Sequence, residues 1–253
     1  MVTERDSGRT IHVVLPAYNE AENIASVLRA LDRTASECGL KMRVIVVDDG
    51  SRDATAEIAR AFAGRMPVTL IEHPGNLGLG ATIRTGLLRA AQESVRGDVV
   101  VTMDADDTHT PQSIARMVDL IGSGQDVVIA SRYQPGARVT GVPLSRRFMS
   151  RAASVLFRVV HPVPGVRDFT CGYRAYRAEV LRSAIDRYRD EFINQEGFQC
   201  MVDILLKLSR MELRFCEVPL VLRYDRKGGK SKMRVARTAA ATLVLLIRRR
   251  MGR

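Results

Sequence analysis

The sequence predicts an α/β fold with a mostly parallel central sheet flanked by helices, and two observations support this. Short runs of β-branched residues alternate with amphipathic stretches through the first half of the chain, which is typical of strand–helix–strand units. The 253 residues are 46% hydrophobic and 26% charged, with only 19 Gly and 9 Pro. This composition can bury a core, and it excludes disordered and low-complexity classes.

Five strands and four helices are predicted in the first half of the chain. We expect the strands at residues 11–15, 43–47, 68–72, 98–102 and 126–130. The helices between them are expected at residues 20–37, 53–63, 78–92 and 111–121. After a loop marked by Gly and Pro, the pattern predicts a helix at 144–160, a strand at 169–176, a helix at 197–209 and an edge strand at 213–224 that contains Pro219.

The basic charge is concentrated at the C-terminal end. The formal net charge is +11, and residues 223–253 carry +10 of it, so the rest of the chain is nearly neutral. This distribution, with 5% aromatic residues and no Trp, argues against nucleic acid as a partner. Residues 231–253 are predicted to form a basic amphipathic C-terminal helix on an anionic membrane surface, and 144–160 is a second candidate. For both, a core-packing helix with a solvated basic face is the alternative.

The cysteines and the apolar runs indicate a cytoplasmic location. The four cysteines form no CxxC pair and no Cys/His cluster, which favours buried thiols in a reducing compartment. The sequence starts without a signal-peptide pattern. Its longest apolar run, residues 239–247, is far shorter than the roughly 20 residues that cross a bilayer.

Acidic side chains follow two of the predicted strands. Asp48 and Asp49 end the second strand before a glycine that permits a sharp turn, and Asp104 and Asp106 follow the fourth strand. The carboxyl ends of parallel strands share one edge of the sheet, where ligands bind in open α/β folds. Carboxylates that repel each other there suit Mg²⁺ or Mn²⁺ bridging a diphosphate. For Asp48 and Asp49, simple turn chemistry is the alternative.

Seven short motifs occur in order along nearly the whole chain. They are VLPAYNE at 14–20, VDDGS at 47–51, NLGLG at 76–80, MDAD at 103–106, ASRY at 130–133, DFTCGYR at 168–174 and GKSK at 229–232. Together they resemble the family 2 glycosyltransferases of GT-A fold, and most closely the polyprenyl-phosphate (dolichol-phosphate) mannose synthase branch. The resemblance implies a GT-A catalytic domain at residues 1–230, followed by the membrane-surface segment at 231–253.

The resemblance also implies roles for individual residues. Those that would bind the donor nucleotide are Pro16, Tyr18, Glu20, Asp48 and Asp49. Asp104 and Asp106 would bind the metal ion and the donor diphosphate. Those that would bind the acceptor phosphate are Arg132, Arg146 and Ser150. The family's mobile segment, which closes over the donor diphosphate, would contain Arg226, Lys230 and Lys232.

The sequence departs from the family pattern at one position of the metal motif. The family commonly has Gln two residues after the second Asp, as a further metal ligand, whereas this chain has Thr108. A hydroxyl or a water would have to take that place. Residues 196–199 match the family only loosely, and Asp203 is the candidate for the acidic residue that follows them.

The chemistry of the acceptor decides whether the reaction requires a general base. A phosphate is already ionised at neutral pH, so its oxygen can attack the anomeric carbon directly, with inversion, and positioning with charge stabilisation suffices. A neutral sugar hydroxyl would instead need a base, and Asp168 is the first candidate for that role.

These features predict a metal-dependent inverting glycosyltransferase that transfers a hexose, mannose from GDP-mannose, to a polyprenyl phosphate at the cytoplasmic face of the membrane. The expected partners are the nucleotide sugar, the polyprenyl phosphate, an anionic membrane surface and a membrane protein. One alternative keeps the fold but uses a UDP-sugar or a soluble natural-product acceptor, because no short motif separates guanine from uracil. Another is a non-catalytic subunit that binds a nucleotide sugar or acts as a scaffold.

Overall fold

The computed structural model describes residues 8–226, apart from the side chains of Ser145 and Arg146. Its strands are β1 (Thr10–Ala17), β2 (Lys41–Asp48), β3 (Val68–Glu72), β4 (Val99–Thr102), β5 (Val127–Ser131), β6 (Arg138–Thr140), β7 (Arg174–Arg177), β8 (Phe215–Pro219) and β9 (Val221–Arg223). Its α-helices are α1 (Ile24–Cys38), α2 (Thr55–Ala61), α3 (Leu79–Glu93), α4 (Ser113–Gly122), α5 (Leu144–Val160), α6 (Ala178–Tyr188) and α7 (Cys200–Leu208).

Seven of these strands form one sheet in the order β3-β2-β1-β4-β7-β5-β8. Strand β7 runs antiparallel to both of its neighbours, and the other neighbouring pairs are parallel. The prediction of a mostly parallel central sheet is therefore confirmed. From β1 the chain adds β2 on one side and β4 on the other, so the strand order reverses at the β1–β4 pair. Open α/β sheets bind ligands in the crevice beyond the carboxyl ends of such a pair.

The central strands are buried because helices pack against the sheet. All residues of β4 and β5 are buried, as expected for strands rich in valine and isoleucine that are covered on both faces. Helix α3 packs on β1 and β2, and α4 packs on β5 and β7. In α1 the buried residues Ile24, Val27, Leu28 and Leu31 recur every three or four positions, which forms one apolar face.

The second half of the chain differs from the predicted pattern in four places. The strand predicted at 169–176 is confined to β7, because the Asp168 carboxylate accepts hydrogen bonds from the N–H groups of Thr170 and Cys171 and holds a loop there. The edge strand predicted at 213–224 divides at Pro219. Its first part is β8 at the sheet edge, and its second part is β9, which pairs with β6. Strand β6, in the predicted loop, and helix α6 were not predicted.

The predicted C-terminal helix at 231–253 lies outside the described residues, as does the domain boundary at 230. Lys230 and Lys232 lie outside them too. Within residues 8–226, none of the helices combines the length and the hydropathy that a bilayer crossing requires.

Candidate active site

A cavity of about 540 Å³ lies beyond the carboxyl ends of β1 and β4. Its wall contains seven of the residues that the sequence analysis assigned to the site, and these are Pro16, Tyr18, Glu20, Asp49, Asp104, Asp106 and Arg132. The structure thus brings carboxylates that follow β2 and β4 into the same wall. Asp48, Ser150 and Arg226 are not part of the described wall.

The loops after β1 and β2 are joined to each other by hydrogen bonds. The Asn19 N–H donates to the Ser51 hydroxyl at 2.8 Å, and the Arg52 N–H donates to the Asn19 side-chain oxygen at 2.8 Å. Gly50 makes the turn possible, because its φ is +68° and a Cβ there would lie 2.5 Å from Cα of Gly75. These contacts fix the position of Tyr18 and Glu20 at the cavity.

The two adjacent aspartates after β2 have different surroundings. The Asp48 carboxylate accepts hydrogen bonds from the N–H and the hydroxyl of Ser51, so it stabilises its own turn. The Asp49 carboxylate accepts from the N–H groups of Leu77 and Gly78, which draws the loop after β3 to the cavity. Asp49 therefore lies in the cavity wall, whereas Asp48, which was also predicted to bind the donor nucleotide, is not part of the described wall.

The acidic loop after β4 holds its carboxylates in defined positions. The Thr108 hydroxyl and N–H donate to Asp106 Oδ1 at 2.6 and 3.2 Å, so Thr108 orients Asp106. Asp107 is held away from them, since its carboxylate accepts from the Ser26 hydroxyl on α1 at 3.0 Å. Strand β9 closes the loop from the other side, where the Arg223 N–H donates to the Thr108 carbonyl at 2.8 Å.

The donor set of this loop fits a hard divalent cation. Within residues 8–226, no group of three or more His, Cys, Asp or Glu side chains is arranged to hold a metal ion. Asp104 and Asp106 alone would supply two carboxylates from the cavity wall. Mg²⁺ and similar ions are commonly bound by one or two carboxylates, with substrate phosphates and water completing the coordination. The residues present therefore suit a metal ion that arrives with a diphosphate.

His109 belongs to the same wall, and the sequence pattern gave it no role. Its Nε2 lies 4.0 Å from Asp104 Oδ2, and its ring stacks on Tyr173 with the ring centroids 5.1 Å apart. An isolated histidine has no ligand spacing, so the only signal in the sequence was its position five residues after Asp104.

A buried ion pair forms the opposite side of the cavity. Arg132 Nε and Nη2 donate to the two carboxylate oxygens of Asp168 at 2.8 and 2.6 Å, and Nη2 also donates to the Thr170 hydroxyl. Burial alone would raise the pKa of Asp168, but the Arg132 charge and these hydrogen bonds hold it below the ordinary 3.8. Because Asp168 is ionised, fully buried and already hydrogen-bonded, it is not suited to act as a general base.

The other residues predicted to bind the acceptor phosphate or to close over the donor are not part of the described cavity wall. The Ser150 hydroxyl, on α5, is hydrogen-bonded to the Tyr133 hydroxyl at 2.6 Å, so Ser150 supports the residue next to Arg132. Arg146 also belongs to α5, and its side chain lies outside the described part. Arg226 is exposed in the turn that ends the described chain, while Tyr224 of the same turn reaches the wall.

Segment 195–199 forms a wall that sequence reasoning did not predict. Phe198 lines the cavity, and the Gly80 N–H donates to the Glu196 carbonyl at 2.8 Å. The contact requires glycine, because a Cβ on Gly80 would lie 1.7 Å from the Gln195 carbonyl oxygen. A long-range backbone contact of this kind leaves no periodic signal in the sequence.

Asp203 lies behind this wall. Its carboxylate pairs with Lys207 Nζ at 2.6 Å, and both side chains are almost completely buried. Lys207 also donates to the carbonyls of Glu191 and Phe192. In the described structure Asp203 is thus part of a buried pair, and it does not belong to the described cavity wall.

Comparison with known proteins agrees with the motifs. Residues 12–184 match the family described as Glycosyl transferase family 2. The chain is 33% identical over 233 residues to the polyprenol monophosphomannose synthase of Mycolicibacterium smegmatis, covering 91% of this chain and 83% of that protein. It is 34% identical over 221 residues to the undecaprenyl-phosphate mannosyltransferase of Micrococcus luteus, covering 87% and 86%.

Two further similarities extend the comparison. The chain is 32% identical over 225 residues to the dolichol-phosphate mannosyltransferase of Pyrococcus furiosus, and it spans 59% of that longer protein. The crystal structure of the glucosyl-3-phosphoglycerate synthase of Mycobacterium tuberculosis superposes with a TM-score of 0.67 at 24% identity, covering 97% of this chain and 81% of that one. The structural likeness confirms the predicted GT-A fold.

Proposed function

The chain belongs to glycosyltransferase family 2, and on that premise we propose that it transfers mannose from GDP-mannose to the phosphate of a polyprenyl phosphate. The observation that carries the proposal is the common cavity wall of Asp49, Asp104, Asp106 and Arg132. The relatives of similar length are named as synthases or transferases of polyprenyl-phosphate mannose.

The donor occupies the β1–β4 side of the cavity in this proposal. Pro16, Tyr18, Glu20 and Asp49 bind its base and ribose, and the loops joined through Asn19 and Ser51 hold them in place. Asp104 and Asp106 bind Mg²⁺ or Mn²⁺ at the donor diphosphate. When bound, the metal ion neutralises charge on the departing nucleoside diphosphate.

The acceptor phosphate enters opposite the donor and meets Arg132. Asp168 and Thr170 occupy Nε and Nη2 of this guanidinium, and none of the described residues accepts a hydrogen bond from Nη1. Arg132 can therefore direct the two N–H groups of Nη1 to a phosphate. The ionised phosphate oxygen attacks the anomeric carbon, the bond to the nucleoside diphosphate breaks, and the configuration inverts. The burial of Asp168 supports this reading, since the alternative neutral hydroxyl acceptor lacks the base proposed for it.

Helix α5 is the part of the described chain best suited to contact the membrane that holds such an acceptor. Four apolar side chains lie on one of its faces, and these are Leu144, Phe148, Val155 and Val159, which are 77%, 76%, 50% and 74% exposed. At 100° per residue they fall within a sector of about 60°. Exposed arginines at 147, 151 and 158 follow along one edge of that sector. These four side chains are therefore not used for core packing, and an apolar face edged by arginine is typical of interfacial helices.

A transfer assay tests the proposed function. The protein is incubated with radiolabelled GDP-mannose, vesicles that contain polyprenyl phosphate, and Mg²⁺ or Mn²⁺, and the label extracted into organic solvent is counted. We expect label in the organic phase only with acceptor and metal present, and a β-linked mannosyl phosphate as the product. Parallel reactions use UDP-glucose and soluble sugars. Transfer to a soluble sugar with no organic-phase product would contradict the proposed acceptor, and transfer from UDP-glucose alone would contradict the proposed donor.

A further inference from the structure

Asp49 and His73 lie next to each other at the carboxyl ends of β2 and β3. The two strands are parallel neighbours with Asp48 paired to Glu72, so the residues that follow them meet at the same edge of the sheet. Both side chains are nearly buried, at 3% exposed for Asp49 and 9% for His73. The proposed function assigns Asp49 to the donor nucleotide but gives His73 no role.

Three donors from the loop after β3 surround the Asp49 carboxylate. Oδ1 accepts from His73 Nδ1 at 2.8 Å and from the Leu77 N–H at 2.9 Å, while Oδ2 accepts from the Gly78 N–H at 2.8 Å. An ionised carboxylate can only accept, so Nδ1 carries the hydrogen. In the neutral ring Nε2 then accepts from the Thr85 hydroxyl on α3, which lies at 3.0 Å.

The number of open acceptor positions follows from these contacts. A carboxylate offers about four lone-pair positions, two on each oxygen. Among the described residues, two donors fill Oδ1 and one occupies Oδ2, so one position on Oδ2 remains for a ligand. A uracil base or a ribose hydroxyl brings one hydrogen to such a position. A guanine base presents two neighbouring N–H donors on its Watson–Crick edge, and they would need both oxygens.

Resting on the proposed function, we propose that His73 is a positioning residue that limits how strongly the donor site prefers guanine over uracil. By donating to Oδ1, His73 limits Asp49 to a single hydrogen bond with the nucleotide. Guanine can therefore pair only one of its two neighbouring N–H groups with Asp49. Uracil, which brings a single N–H group, loses no hydrogen bond there. Removal of the His73 donor opens Oδ1 and improves binding of GDP relative to UDP.

Calorimetric titration of GDP and UDP, each with Mg²⁺, tests this role in the full chain. We expect the ratio of the UDP to the GDP dissociation constant to rise about tenfold in His73→Leu, the effect of one hydrogen bond to a charged group. His73→Asn keeps an N–H near the Nδ1 position that can still donate to Asp49 Oδ1. The ratio in this variant should therefore stay within about twofold of that of the unsubstituted protein. Thr85→Val, which removes only the partner of Nε2, is the matched control with the same expectation.

A second variant that frees the position on Asp49 Oδ1 covers the case in which His73→Leu does not fold. The amide of His73→Gln reaches the Nε2 position instead of Nδ1, so this variant should also raise the ratio. If folded His73→Leu or His73→Gln binds both nucleotides with an unchanged ratio of dissociation constants, the role of His73 is overturned. The proposed function would still stand. An equal rise in His73→Asn would overturn it as well, because loss of packing would then be the cause. If the unsubstituted protein binds neither nucleotide, the proposed function itself fails.

Discussion

At the scale of single residues, neighbouring carboxylates in this protein have different tasks because different donors reach them. Asp106 is oriented by Thr108, while Asp107 is held toward α1 by Ser26. Asp48 stabilises its own turn, and Asp49 lies in the cavity wall. Each adjacent pair thus combines one aspartate at the cavity with one that supports the loop.

The first prediction concerns Asp104 and Asp106, which we propose bind the metal ion. Asp104→Asn and Asp106→Asn should each lower kcat for mannose transfer by about 10²–10³, because each removes a charge that holds the cation at the diphosphate. Asp107→Asn is the matched control, since an amide oxygen can still accept from Ser26, and its kcat should remain within about twofold. The measurement is steady-state transfer at saturating Mg²⁺ or Mn²⁺. Normal turnover in the Asp104 and Asp106 variants would contradict the metal assignment.

The second prediction concerns the buried pair of Arg132 and Asp168. Asp168→Asn leaves a largely buried guanidinium without its counter-charge, so the free energy of unfolding should fall by about 3 kcal/mol. The control is Asp190→Asn, which breaks an exposed pair with Arg84 and should cost less than about 1 kcal/mol. Urea denaturation at neutral pH measures both values.

The same pair determines how stability depends on acid. The folded-state pKa of Asp168 lies below 3.8, so folding favours the ionised form. The contribution is fully present above the ordinary pKa of 3.8 and is lost as the pH falls through the lower folded value. The unsubstituted protein should therefore lose stability below pH 4 more steeply than Asp168→Asn. Parallel acid profiles for the two proteins would refute the ion-pair assignment.

At the scale of elements, helix α5 has two distinct faces. Phe157 is buried and stacks on Phe169, and Ser154 donates to the Arg167 carbonyl at 2.6 Å, so one face is fixed to the domain. The opposite face exposes the apolar side chains described above. The helix is therefore held by the protein on one side and available to a lipid surface on the other.

The third prediction tests that exposed face. Phe148→Gln combined with Val159→Gln should weaken binding to anionic vesicles at least about tenfold, since burial of each such side chain contributes about 1.5–3 kcal/mol. The melting temperature should change little, because both side chains are exposed. Val95→Gln, at an exposed valine outside α5, is the control and should bind as the unsubstituted protein does. Equal co-sedimentation of all three proteins would exclude α5 as a membrane contact.

At the scale of the whole molecule, the cavity depends on contacts between segments that are far apart in the sequence. The start of α3 meets segment 195–196, and β9 meets the acidic loop at Thr108 and His109. These two contacts bring the N-terminal side, which we propose binds the nucleotide, and the C-terminal part of the described chain around one cavity. The contact at Gly80 is the tighter of the two, because it leaves no room for a side chain.

The fourth prediction is made at this contact. Gly80→Ala places a methyl group against the Gln195 carbonyl, so it should lower the free energy of unfolding by about 1–3 kcal/mol and weaken GDP binding. Gly64→Ala is the control, because nothing lies within 4 Å of its added Cβ, and its stability should be equal or slightly higher. Urea denaturation and nucleotide titration give the two values. A Gly80→Ala protein as stable as the control would contradict the close approach.

The sheet and the acidic wall could be predicted from the sequence, whereas the pairing of side chains could not. Asp49, Asp104 and Asp106 follow parallel strands, and strand ends on one edge must converge. The burial of Asp168 depends on Arg132, which lies 36 positions earlier, and no local pattern encodes that contact. The strand predicted at 169–176 starts five residues before β7, because the hydrophobic pattern of residues 169–173 does not show the loop that the Asp168 carboxylate holds.

The position of β7 in the middle of the sheet has a consequence for how the chain folds as it is synthesised. Strands β1 to β4 are complete by residue 102 and already neighbour one another, so this half of the sheet can assemble while the ribosome is still extending the chain. Strand β5 cannot join them until β7 has emerged and inserted between β4 and β5. The Arg132 side is consequently built last. We therefore expect nascent chains that stop shortly before residue 174 to expose the unpaired edge of β4, where chaperones that recognise open strands would bind.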